Sequence, residues 1–145
     1  MSNQPSASLT PKELEKATEI AVEGVDAVAV YLFGSAARGR FVRGLSDVDI
    51  LVVTKSPPPY RAKTSRIDAG DINVVYMSAE EICEAYRRGN HLVIEALDEG
   101  ILLAGTPLRC ADRGFGARYA NTAFGCFNYL LISALSAMYF LSSIV

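Results

Sequence analysis

An α/β fold of the α+β kind is what this sequence predicts: a small, mixed, mostly antiparallel sheet with helices on one side, then a long apolar C-terminal helix. Three observations predict it. Residues 25–33 and 48–53 are apolar runs of strand length, rich in β-branched side chains. Thr10, Ser78 and Asn90 each stand where a helix N-cap belongs. From residue 119 to residue 145 no charged side chain occurs.

Taken in order, the elements justify themselves locally. Thr10 caps the first helix, Pro11 fills its first position and Glu13 completes a capping box, with Leu9 and Leu14 placed as a hydrophobic staple. Leu14, Ala17, Ile20 and Ala21 form its buried stripe, and Gly24 ends it near residue 23. Residues 25–33 read as a strand buried on both faces. Gly34-Ser35 turns the chain into a short helix around residues 36–39; residues 40–46 are loop, and 48–53 form a second strand. The run Ser56-Pro57-Pro58-Pro59 breaks regular structure, leaving an extended loop or irregular hairpin up to Gly70. Residues 72–76 are a third strand. Ser78 and Glu81 open a second helix reaching about residue 88; Asn90 opens a shorter one ended by Gly100, and 101–103 form a small strand. The division expected is a domain over residues 8–105 and a helical extension over 106–145.

Composition narrows the function. A chain of 145 residues that is half hydrophobic has the makings of one folded core rather than a disordered segment. Its net charge of −2 supplies no global basic field, so no specific nucleic-acid partner is expected. Cys83, Cys110 and Cys126 are widely spaced and fit reduced, buried thiols better than a disulfide framework or a zinc site. His91 is the single histidine, which rules out a histidine-rich metal centre. The opening residues MSNQPSASLT lack a basic stretch followed by an apolar one, so the expected location is cytoplasmic.

The chemistry concentrates in LFGSAARGRFVRGLSDVDILVV, residues 32–53. Alternation along a strand sends Asp47 and Asp49 to one side and Val48 and Ile50 to the other. Two carboxylates held close together repel, and a divalent cation relieves them. Oxygen-only ligation with room for substrate phosphates suits Mg²⁺. Gly34 permits a sharp turn and close approach of a ligand; Ser35 begins a helix whose N–H groups form an anion site, and Arg38 lies one turn further on. A third carboxylate is expected on a neighbouring strand, for a second cation or for the attacking hydroxyl. Asp71 at the mouth of the third strand is preferred over Asp68, and Asn73 shares its strand face.

Gly34-Ser35, then Ser46-Asp47-Val48-Asp49 entering a strand, then Asp71 leading another, resembles the minimal nucleotidyltransferases of the polymerase-β superfamily. The resemblance spans roughly residues 10–104, including IEALDEGILLAG at residues 94–105. It implies Mg²⁺-dependent transfer of a nucleoside monophosphate, most often AMP from ATP, onto an acceptor hydroxyl. By the same resemblance Asp47 and Asp49 are metal ligands, Asp71 is the third ligand or the base that activates the acceptor, and Gly34, Ser35, Arg38 and Ser46 form the nucleotide-binding motif. The chain departs from the pattern in its short, proline-rich link between residues 53 and 71.

With the domain expected over residues 8–105, no second domain is expected to enclose a small acceptor, so a partner chain is expected to supply the acceptor or finish the pocket. Small stand-alone members of the resembled group act as antitoxins that adenylylate a tyrosine of a helical ribonuclease toxin, which makes such a toxin the first expected partner. A binding module with the same fold is the alternative. The stretch 124–145 is long enough to span a membrane, but Asn128 and four serines interrupt it. Ser133 and Ala137 give it a small-residue helix face, favouring a homodimer or partner interface over a membrane.

Overall fold

The computed structural model describes residues 8–110. Its elements are α1 (Pro11–Val22), β1 (Ala27–Phe33), β2 (Val48–Thr54), β3 (Ala62–Ile67), β4 (Gly70–Ser78), α2 (Ala79–Arg87), α3 (His91–Ile94) and β5 (Ile101–Gly105). A 3-10 turn at Gly34–Ala36 follows β1, and a π-helical turn at Glu95–Glu99 continues α3. The apolar helix expected in the C-terminal extension, and Cys126, lie outside the described residues.

The helix starts form where the sequence places them. Thr10 and Ser78 each accept from the N–H of a glutamate three residues on, Glu13 and Glu81, whose carboxylates return to the cap's own N–H. Asn90 caps α3 through Val93. The sheet is mixed and mostly antiparallel, in the order β3-β4-β2-β1-β5, with only the β2–β4 pair parallel. The segment expected as loop or irregular hairpin contains a full strand, β3, paired antiparallel with β4. Its side chains are only half-buried or exposed, as suits an edge strand, so no apolar run announced it.

Helices cover both faces of the sheet, which corrects the one-sided expectation. α1 brings Ala17, Ala21 and Val22 to a cluster with Val30, Leu32, Ile50, Val52 and Val74. On the opposite face α2 and α3 bring Ile82, Tyr86 and Val93 to Ala29, Tyr31, Leu51, Val53 and Leu102. The reason is visible in β1 and β2: successive side chains are buried on both sides, and such strands need cover on both. Each fully buried Val, Leu or Ile contributes about 1.5–3 kcal/mol relative to exposure.

A second correction concerns the thiols. Cys83 of α2 and Cys110 form a disulfide, with their Cα atoms 5.3 Å apart. They are 27 residues apart in sequence and meet because the segment after β5 packs into the same cluster as α2. Among the described residues no helix is long and apolar enough to cross a membrane.

The loop leading into β2 is fastened at both ends. Phe41 is buried in the α1-side cluster, Gly44 N–H donates to the Ala69 carbonyl, and Ser46 Oγ accepts from Val42 N–H. Arg43, in that same loop, grips Glu13 of α1 through two hydrogen bonds of 2.8 and 2.6 Å. The Arg43 bond, helped by the Thr10 N–H, lowers the Glu13 carboxyl from 4.5 to about 2 despite some burial. Because the folded-state value is depressed, this contribution is complete above about pH 4.5 and is lost as pH falls towards 2. Thermal midpoints measured across that window are expected to fall with acid in the wild-type chain and to fall less steeply in Arg43→Gln.

Candidate active site

β1 and β2 lie antiparallel with Phe33 opposite Asp49, so the turn that ends β1 begins beside that carboxylate. Gly34 adopts φ +77°, and a Cβ added there would lie 2.4 Å from Asp49 Oδ2. The backbone conformation favours glycine, and any side chain here would push the Asp49 carboxylate aside. The chain then curls through a single 3-10 turn closed by Ala37, Arg38 and Arg40 N–H groups donating to Gly34 and Ser35 carbonyls. This is shorter than the helix expected over residues 36–39, and its dipole is correspondingly small. The turn's usefulness lies in its tight backbone rather than in a helix terminus.

Asp47 and Asp49 flank buried Val48 and project from the face that α2 and α3 cover further along the sheet. The parallel register sets Asn73 of β4 opposite Asp49, and Asn73 Nδ2 donates to Asp47 Oδ2 at 3.0 Å. The Asn73 amide is thus shared by the two carboxylates. Burial pushes the Asp49 carboxyl above its usual range, and the negative charges of Asp47 and Glu95 add to the rise; Asn73 and Arg38 oppose it.

The other expected residues fall in different places. Asp71 shares the sheet face of Asn73 but lies two residues upstream, opposite Arg66 of β3, whose Nε donates to Asp71 Oδ1 at 2.7 Å. Both partners are exposed, and ion pairs of this kind are worth under about 1 kcal/mol. Ser46 is occupied within its own loop. Ser35 sits half-buried in the turn. Arg38 reaches Glu95 Oε2 at 2.6 Å, and the same oxygen accepts from Gly34 N–H at 3.1 Å.

Two site residues were missed or underrated by sequence reasoning. Glu95 stands 61 positions from Gly34 and comes from the π-helical turn, so no local pattern marks it. Asn73 was only a strand-face neighbour until the β2–β4 register placed it against the acidic pair.

The donor set fits a divalent cation accompanied by phosphate. Two carboxylates lie side by side, one of them destabilised in its charged form, and a glycine turn whose added Cβ would meet Asp49 Oδ2 abuts them. Among the described residues no three His, Cys, Asp or Glu side chains converge on one point, so the carboxylate pair stands without a third member.

An acidic pair against a glycine turn, at the end of paired strands in an α/β sheet, is an arrangement that would suit a metal-bound phosphate ester. Residues 14–103, more than half of the chain, match the nucleotidyltransferase domain family, and the chain belongs to it. Its general chemistry is therefore nucleotidyl transfer. No curated protein matches the chain closely enough for comparison.

Proposed function

We propose that this protein transfers a nucleoside monophosphate, AMP from ATP, to an acceptor hydroxyl with Mg²⁺. The observation that carries the reading is the closeness of the Gly34 turn to the carboxylate pair, where an added Cβ would lie 2.4 Å from Asp49 Oδ2. Mg²⁺ bound by Asp47 and Asp49 would neutralise charge on the triphosphate. The acceptor oxygen forms a bond to the α-phosphorus and gives up its proton to solvent, the bond from that phosphorus to the oxygen bridging to the β-phosphate breaks, and pyrophosphate departs with its electron pair. Gly34 and Ser35 shape the backbone against the phosphates, and Arg38 adds positive charge at the turn. Arg43 and Ser46 hold the loop that delivers Asp47.

The acceptor we favour is a tyrosine of a helical ribonuclease toxin, in keeping with the resemblance and with the small size of the domain. Incubation of the full chain with Mg²⁺, α-labelled ATP and extract of the native cells is expected to label one partner, and intact-mass measurement to show a gain of one AMP. Asp47→Ala is expected to remove that label by at least ~100-fold. A chain that binds ATP and labels nothing refutes transfer.

A second reading, a nucleotide- or partner-binding module that has lost catalysis, is favoured by one observation. The residue facing Asp49 across the parallel pair is a neutral amide, while Asp71 is engaged by Arg66. ATP binding without transfer is the outcome that supports it.

A further inference from the structure

We propose that the cradle takes one divalent cation, the one that accompanies the triphosphate, because Asn73 fills the position from which a third carboxylate would complete a second cation site. This rests on the nucleotide reading above. It concerns how many ions the site holds, not whether it binds nucleotide.

The argument is geometric. β2 and β4 run parallel with Val48 beside Ile72 and Asp49 beside Asn73. Adjacent residues in register share a sheet face, and the buried pair Val48–Ile72 fixes which face the next pair takes. A carboxylate at position 73 would therefore stand beside two others and would need a second cation to hold it there. Asn73 instead donates Nδ2–H to Asp47 Oδ2 at 3.0 Å, meeting that oxygen's need with a hydrogen bond. A neutral amide is a weaker ligand for a hard cation than a carboxylate is.

The two remaining acidic candidates are engaged elsewhere. Asp71 accepts from Arg66 Nε at 2.7 Å, at the β3–β4 edge. Glu95 Oε2 accepts from both Gly34 N–H and Arg38 Nη1, so it belongs to the turn.

The test counts ions directly. The full chain is titrated with Mn²⁺ in the presence of α,β-methylene-ATP, and free Mn²⁺ is followed by electron paramagnetic resonance. About one nucleotide-dependent Mn²⁺ per chain is expected for the wild type and for Asp71→Asn, and about two for Asn73→Asp. Two ions on the wild-type chain overturn the inference while leaving nucleotide binding intact. So does a single ion on Asn73→Asp whose thermal unfolding matches the wild type, because the position would then be wrong. A wild-type chain that takes no nucleotide-dependent ion overturns the nucleotide reading itself, and this inference with it.

Discussion

Gly34→Ala is expected to lower nucleotide transfer by at least ~100-fold while the domain stays folded. Two costs meet at this residue. The first is conformational: alanine at φ +77° is in the left-handed region, which costs roughly 1–2 kcal/mol. The second is steric. The new methyl would sit 2.4 Å from Asp49 Oδ2. The fold can relieve that clash by rotating the Asp49 carboxylate, since the obstacle is a side-chain tip and not backbone. Relief then comes at the expense of the carboxylate's aim at a cation. Gly39 separates the two costs, because its φ is +74° and nothing lies within 4 Å of its added Cβ. Gly39→Ala should lose a similar amount of stability and keep far more nucleotide binding. Calorimetric Mg²⁺-ATP titrations of the two variants, beside their thermal midpoints, check this. Equal loss of binding in both would show that backbone strain alone governs the turn.

Asp49→Asn is expected to move activity and stability in opposite directions. Transfer should fall by at least ~100-fold, because one of two carboxylates is lost. Stability without metal should rise. Burial, then Asp47 and Glu95, lift the Asp49 carboxyl above its usual value. A raised acid binds more protons folded than unfolded, so stability declines as pH climbs from the unfolded to the folded value. Above the folded value the penalty is complete, and the amide variant never incurs it. Metal-free unfolding measured at neutral and mildly acidic pH should therefore show the variant above the wild type at neutral pH, with the gap closing in acid. A less stable variant at neutral pH would mean that Asp49 is held by favourable contacts rather than strained by its neighbours.

What could be read without coordinates was whatever depended on near neighbours in the chain. The capping boxes at Thr10–Glu13 and Ser78–Glu81 are three-residue signals, and both formed. The apolar runs of β1 and β2 announced buried strands because burial on both faces leaves little polar alternation. The edge strand Ala62–Ile67 escaped notice because an edge tolerates Lys63 and Arg66 among its residues. Which faces the helices cover depends on how the chain crosses the sheet, and so does the meeting of Cys83 with Cys110. The acidic site shows the same limit at finer scale. Period-two alternation put Asp71 and Asn73 on one face, but choosing between them required the offset of β4 against β2, which no single segment contains.

The site draws Gly34, the Asp47–Asp49 pair, Asn73 and Glu95 from well-separated parts of the chain, and the Gly34–Glu95 bond alone bridges 61 positions. Such a cradle forms only when these segments come together, which ties its assembly to the folding of the sheet. On the proposed function, a nucleotide that bound only the assembled form would stabilise the whole domain, by about 2.7 kcal/mol at a hundredfold excess over its dissociation constant, and protease resistance should rise with nucleotide concentration.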